Sequence, residues 1–142
     1  MSVGERPLPD ETLDRTLGLE AFGTDEDGVA RGRMTASDRV KQPFGIVHGG
    51  AYASLAESVT SRATYEEVGP GSGAFGQSNH TTFLRPVSAG IIDAVAHARH
   101  RGRTSWVWDV EMTDEEGRLC AISRLIIAVR PLEGRDGSGS GR

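Results

Sequence analysis

The sequence predicts an α+β domain in which a long antiparallel sheet curls around one central helix. Three observations carry this. Residues 49–67 hold one sustained helical pattern, with Tyr52, Leu55, Ala56, Val59 and Ala63 recurring at helical spacing. After the breaker Gly69-Pro70-Gly71-Ser72-Gly73, four long strand-like runs follow, separated by short turns. Along one of them, Trp106, Trp108, Val110 and Met112 share a face, so the sheet has an apolar side that a single helix can cover.

Taken in order, residues 1–10 are polar and contain Pro and Gly, and read as a flexible terminus. Residues 12–21 read either as a short helix or as the approach to a strand. The turn Asp25-Glu26-Asp27-Gly28 precedes a weakly alternating strand over residues 29–35. The helix follows, then strands at 74–84, 91–100, 104–113 and 119–130. Arg85 to Gly90, Arg101 to Arg103 and Asp114 to Gly117 read as their turns, which predicts an antiparallel meander. The tail at 133–142 (EGRDGSGSGR) is low in complexity and predicted to be disordered. One domain over residues 11–132 remains, in keeping with a 142-residue chain.

Bulk properties narrow the function. A formal charge of −4 supplies no basic field for phosphate backbones, which argues against nucleic acid as the main partner. One cysteine excludes an internal disulfide and a Cys-rich zinc site. No apolar run approaches the roughly 20 residues that span a bilayer, and no opening segment resembles a signal peptide. A cytoplasmic protein without a membrane partner is the expectation.

Chemistry concentrates around Gln42-Pro43-Phe44-Gly45-Ile46-Val47-His48-Gly49-Gly50 and the helix that follows. A helix N-terminus presents unpaired N–H groups and a partial positive charge, equipment for holding a developing oxyanion. Two turns later Glu57 supplies a carboxylate, a candidate nucleophile or general base. Glu57 lies off the apolar stripe, and Ser54, Ser61 and Thr64 share its face at helical spacing. A small polar stripe on a helix wrapped by a sheet makes sense facing a cleft or a second subunit. Together these groups suggest hydrolysis of an activated acyl group.

Other constellations carry less. His97 and His100 are three apart in a strand, which points them to opposite faces and away from a shared metal. Neither a G-x-S-x-G elbow nor a P-loop lysine pattern is present. Cys120 alternates within a strand as a small buried residue, and Trp106 and Trp108 read as core or interface rather than a ligand platform.

The stretch QPFGIVHGGAYASLAES resembles the signature of hotdog-fold acyl-CoA thioesterases that carry the active-site carboxylate on the central helix. Downstream, GQSNHTTFLRPVSAG, TSWVWDV and GRLCAISRLIIAVRP are similar to the 4-hydroxybenzoyl-CoA thioesterase (PaaI-like) branch, and the resemblance runs over about residues 39–131. It implies a hotdog fold and hydrolysis of an aromatic acyl-CoA, with CoA as part of the substrate and no cofactor or metal. It also implies a homodimer or dimer of dimers (a homotetramer) with active sites at subunit interfaces. By the same resemblance Glu57 is the catalytic carboxylate and the Gly49 N–H polarises the carbonyl. Gln42 and His48 match polar residues of that site. Ser61 stands where the branch has a Thr reaching across the dimer interface. Arg85 and Thr104 match CoA contacts, and Arg103 departs from a small hydroxyl residue at a nucleotide-contact position. A hotdog hydratase or dehydratase and a non-catalytic acyl-CoA-binding domain are the competing readings; the carboxylate after HGG favours hydrolysis over both.

Overall fold

The computed structural model describes residues 9–132, so the tail at 133–142 and all but the last two residues of the segment 1–10 lie outside the described residues. The chain runs α1 (Leu13–Leu17), β1 (Glu20–Thr24), β2 (Ala30–Thr35), a 3-10 turn at Asp38–Val40, α2 (Gly49–Val68), β3 (Ser72–Phe83), β4 (Ile91–Arg101), β5 (Ser105–Thr113) and β6 (Leu119–Pro131). Six strands form one antiparallel sheet in the order β1-β2-β4-β5-β6-β3, and α2 packs in its concave side. The predicted architecture is the observed one.

The ambiguous stretch 12–21 contains both alternatives. Thr12 caps α1 through its hydroxyl, which accepts from the Arg15 N–H at 3.2 Å. One turn later the chain enters β1, which pairs with β2 as the first hairpin. The Asp25 carboxylate closes that hairpin by accepting from the Asp27 and Val29 amides at 2.9 and 3.0 Å. β2 then alternates buried and exposed as its sequence pattern requires.

The expected meander holds only for β4, β5 and β6. β3 pairs with β6 rather than β4, and β4 pairs with β2 instead. The segment read as a turn at residues 85–90 is therefore a crossover from the edge strand β3 to the interior strand β4. It has its own anchors: Val87 is buried, its carbonyl accepts from the Val47 N–H at 2.8 Å, and the Gly90 carbonyl accepts from Ala36 at 2.8 Å. A sequence pattern reports strand lengths, but pairing partners depend on where such a crossover lands.

A second correction concerns the two histidines. β4 carries a bulge between Ala98 and His100, opposite β5. His97 pairs with Asp109 and His100 with Val107, so the extra residue brings both imidazoles onto the outer face. The bulge also turns Arg101 inward, over the Trp106 ring at 4.9 Å and within 3.3 Å of Glu67 on α2. Among the described residues no cluster of three or more His, Cys, Asp or Glu has a metal-binding arrangement. Among the described residues no helix is long and apolar enough to cross a membrane.

The core joins the predicted helix stripe (Tyr52, Leu55, Ala56, Val59, Ala63) to Met34, Ile92, Trp108, Met112, Leu125 and Ile127. Trp106 and Cys120 are buried within it as their patterns suggested. Thr64 departs from expectation. It shares the azimuth of Glu57, but two turns on that face is covered by β5, and Thr64 is fully buried. The Trp108 Nε1–H donates to Thr64 Oγ1 at 2.9 Å, and Thr64 and Thr60 hydroxyls donate back to the Thr60 and Ala56 carbonyls at 2.8 Å. A buried indole N–H is thus satisfied by the helix, which fixes the rotation of α2 against the sheet.

Two outcomes test these interactions. Thr64→Val keeps the shape and leaves the Trp108 N–H unpaired in the core, which should cost about 1–3 kcal/mol. Thermal denaturation should show a drop of several degrees, with Thr64→Ser close to wild type. The second concerns acid. Burial alone would raise the Asp114 carboxyl, but the Arg118 amide and guanidinium and the Glu116 amide outweigh it and hold it below its ordinary range. A carboxylate with a lowered folded value stabilises above its unfolded value of roughly 3.9 and loses that contribution as pH falls through the folded one. Asp114→Asn should therefore melt below wild type at pH 7 and converge with it in strong acid.

Candidate active site

The site begins at the N-terminus of α2. Gln42 opens a tight turn: its amide donates to the Ile46 carbonyl at 2.9 Å, and its carbonyl accepts from Gly45 at 2.9 Å. Its side-chain oxygen accepts from the Phe44 amide, and Phe44 stands at the tip almost fully exposed. His48 is the helix cap, with Nδ1 accepting from the Gly50 N–H at 2.7 Å. An accepting Nδ1 places the proton of a neutral imidazole on Nε2, which remains available at the rim.

Gly49 is the first residue of α2, and its N–H has no hydrogen-bond partner among the described residues. It sits where the helix dipole is positive. The Phe83 ring presses against it so closely that a Cβ at Gly49 would lie 2.5 Å from Phe83 Cζ. The same ring meets Tyr52 at 6.0 Å between centroids. Only glycine leaves both the ring and the exposed N–H in place.

Glu57 lies two turns along, facing the edge strand β3. A Cβ at Gly76 would lie 2.5 Å from the Glu57 carboxyl carbon, so this glycine makes the room that the carboxylate occupies. Asn79 Nδ2 donates to the Ala53 carbonyl at 2.9 Å and approaches Glu57 Oε1 at 3.5 Å. Asn79 Oδ1 in turn accepts from Thr81, whose hydroxyl is 2.7 Å from that of Ser123. β3 is thereby stitched to the helix one turn before Glu57. The carboxylate is exposed to solvent in a cleft of about 370 Å³ whose lining includes Leu13, Ser54, Glu57 and Asn79. Ser61 follows one turn after Glu57, half-buried.

Within one chain these groups do not form a single reaction centre. Glu57 lies eight positions along the helix from Gly49, roughly 12 Å along the axis. A carbonyl whose oxygen meets the Gly49 N–H is out of reach of the Glu57 carboxylate on the same chain. Gln42 and His48 stay with Gly49, and Ser61 with Glu57. The three residues assigned to CoA are also split. Arg85 is exposed just beyond the C-terminal end of β3, its amide donating to the Cys120 carbonyl at 3.2 Å. Arg103 and Thr104 lie beyond the other end, in a cleft of about 430 Å³ shared with Ser72 and Arg130. The Arg130 guanidinium donates to the Thr104 carbonyl there at 2.7 Å. A strand of this length separates the two ends by roughly 35–40 Å.

Sequence reasoning did not single out Gly76, Asn79, Phe83 or Asp14, although all four border the site. Asn79 and Gly76 carried one signal, since Asn and Gly are unfavourable inside a strand. Phe83 and Asp14 carried none, because their contacts are with residues distant in sequence.

Comparison with known proteins agrees with this architecture. The thioesterase superfamily pattern matches residues 44–121, more than half of the chain. A 1,4-dihydroxy-2-naphthoyl-CoA hydrolase of Listeria monocytogenes is 36% identical over 118 residues, covering 83% of this chain and 95% of that protein. A proofreading thioesterase of Cronobacter turicensis is 38% identical over 118 residues, covering 83% and 85%. Among solved structures, a thioesterase of Haemophilus influenzae superposes with a TM-score of 0.82 at 32% identity, covering 89% of this chain and 88% of that one. A helix-wrapping sheet, a carboxylate on that helix and these relatives lead to one conclusion: the chain belongs to the thioesterase superfamily and is a thioester hydrolase of the hotdog fold.

Proposed function

We propose that the protein hydrolyses an aromatic acyl-CoA, hydroxybenzoyl-like in its acyl group, to the free carboxylate and CoA, and that Glu57 is the catalytic carboxylate. The observation that carries this is the placement of Glu57. Gly76 on β3 leaves the room that the carboxyl group occupies, and Asn79 holds the neighbouring helix turn. That is a built recess for a carboxylate, flanked on the helix by the small side chains of Ala53, Ser54 and Ser61. The aromatic acyl group is supported by the similarity to a hydrolase named for a hydroxylated naphthoyl-CoA.

The chemistry needs few parts. A thioester is already activated, so orientation and electrostatics suffice and no metal or redox cofactor is required. The carbonyl oxygen takes the Gly49 N–H at the positive end of α2. Glu57 either removes a proton from water, whose oxygen adds to the carbonyl carbon, or adds directly and forms an anhydride that water then cleaves. In both routes the C–S bond breaks, and CoA leaves as a thiolate that takes up a proton. Gln42 and the His48 Nε2–H are polar groups at the carbonyl end, and Ser61 adds a hydroxyl at the carboxylate end.

The functional unit in this reading is a homodimer or a dimer of dimers in the cytoplasm. β3 is an edge strand of twelve residues with one side unpaired, and Phe75 and Phe83 on it and Leu84 just beyond it are each at least half exposed. β3 runs antiparallel to α2, with Phe83 beside Gly49 and Gly76 beside Glu57. Pairing two copies of β3 antiparallel about a two-fold axis near Asn79 therefore carries the partner subunit's Gly49 toward Glu57. It closes the gap of roughly 12 Å that one chain leaves open. The same rotation brings Arg85 toward the partner subunit's Arg103 and Thr104, which gathers the separated cationic ends into one place for the CoA phosphates.

Glu57→Gln is isosteric and should lower kcat by roughly two to four orders of magnitude on the best acyl-CoA, with KM and melting temperature nearly unchanged. A kcat panel over hydroxybenzoyl-, benzoyl-, phenylacetyl- and straight-chain acyl-CoA checks this, and near-normal turnover would remove Glu57 from the reaction. Light scattering should give two or four times the 15.2 kDa chain mass. A fully active species of single-chain mass would end the shared-site reading.

A further inference from the structure

We infer that α1 is a wall of the acyl site and that Leu13 sets the size of acyl group accepted, an inference that rests on the thioesterase reading of the Glu57 cleft. Leu13 is 61% exposed on a helix that is otherwise fastened down. It borders two clefts at once. One, of about 370 Å³, contains Ala53, Ser54, Glu57 and Asn79; the other, of about 340 Å³, contains Leu17, Val40, His48 and Gly50. Leu13 thus stands between the carboxylate and the capped N-terminus of α2. It is also the one large apolar side chain in the Glu57 cleft, whose other members are small or polar.

The wall is positioned rather than incidental. A five-residue helix has too few hydrogen bonds to hold its own shape or place. The Asp14 carboxylate accepts from the Ser58 hydroxyl at 2.6 Å, and Leu17 packs against the core. Ser58 is the residue after Glu57, so the tether fixes α1 relative to the carboxylate itself. An acyl group whose carbonyl carbon is within reach of Glu57 and that enters this cleft meets Ala53, Ser54 and Leu13. The cleft falls in the size range of small-molecule sites, roughly 300–1,000 Å³, and Leu13 supplies the apolar surface against which a compact ring can pack. Shortening Leu13 joins the two clefts; enlarging it fills the first.

The test uses the purified full chain and acetyl-, benzoyl- and 1,4-dihydroxy-2-naphthoyl-CoA as probes, comparing Leu13→Ala, Leu13→Trp and Asp14→Ala. Leu13→Trp should lower kcat/KM for the bicyclic probe relative to acetyl-CoA by about tenfold or more, through KM. Leu13→Ala should raise KM for benzoyl-CoA by about three- to tenfold and spare the bicyclic probe, with acetyl-CoA unchanged. Asp14→Ala, which frees α1, should shift the ratios in the direction of Leu13→Ala. Ratios that stay within twofold in both Leu13 variants overturn the inference while Glu57→Gln still tests the catalytic reading. So does a uniform loss across the probes, which would make α1 a structural element only. A change in subunit mass with unchanged ratios would place Leu13 in an interface instead. A wild-type protein that turns over no acyl-CoA would overturn both readings together.

Discussion

The hydrogen bond from Trp108 to Thr64 is the constraint on which the site depends. An apolar stripe holds a helix against a sheet but tolerates rotation about the axis, because dispersion contacts are numerous and weakly directional. A buried indole N–H tolerates no such freedom, since leaving it unpaired costs more than any single contact it displaces. With Thr64 locked under β5, the azimuth of Glu57 follows from helix geometry, and it faces β3. The relay through Thr60 to Ala56 extends the same restraint backward along the helix to the turn that carries Glu57. A core interaction thereby aims a group at the surface.

Rotation alone does not make a recess, and the two close approaches finish it. At Gly49 an aromatic ring takes the place of a side chain, and at Gly76 a carboxylate does. Both pairs join α2 to β3, at opposite ends of a shared length, with Asn79 between them. The result is an edge strand held to its helix by polar and steric detail rather than by a continuous apolar seam. Most of β3 is accordingly exposed, although it pairs with β6 along its length apart from a register shift between Gly76 and Ser78.

Much of this was legible in the sequence. The helix, its buried stripe, β2 and the lengths of β4 to β6 followed from periodicity, and the glycine-rich turn marked the helix start. What escaped notice shares one cause, which is that it is set between segments. The partner of β3 is decided by where the crossover at residues 85–90 lands. The common face of His97 and His100 is decided by a bulge that alternation cannot display. Thr64 obeys the helical spacing that groups it with Glu57, yet is buried, because the covering strand comes from elsewhere in the chain. Gly76 and Asn79 looked like poor strand residues, and the reason for their presence lies nineteen and twenty-two positions earlier, at Glu57. The distance between Gly49 and Glu57 was visible as a residue count; its consequence appears only when the two are placed on one helix axis.

The pairing of β3 with β6 also has a bearing on synthesis. β3 leaves the ribosome well before the residues that complete its inner side, for β6 is the last strand of the sheet. In that interval the nascent strand has neither edge satisfied and carries Phe75 and Phe83, the features of a segment that sticks to its copies. Between them lie Gln77, Ser78, Asn79, His80, Thr81 and Thr82, six polar residues in succession. Their low hydrophobicity makes a lone β3 a weak aggregation template. The polar run that serves the helix in the finished protein thus lowers the tendency of the unfinished strand to pair with its copies before β6 is made.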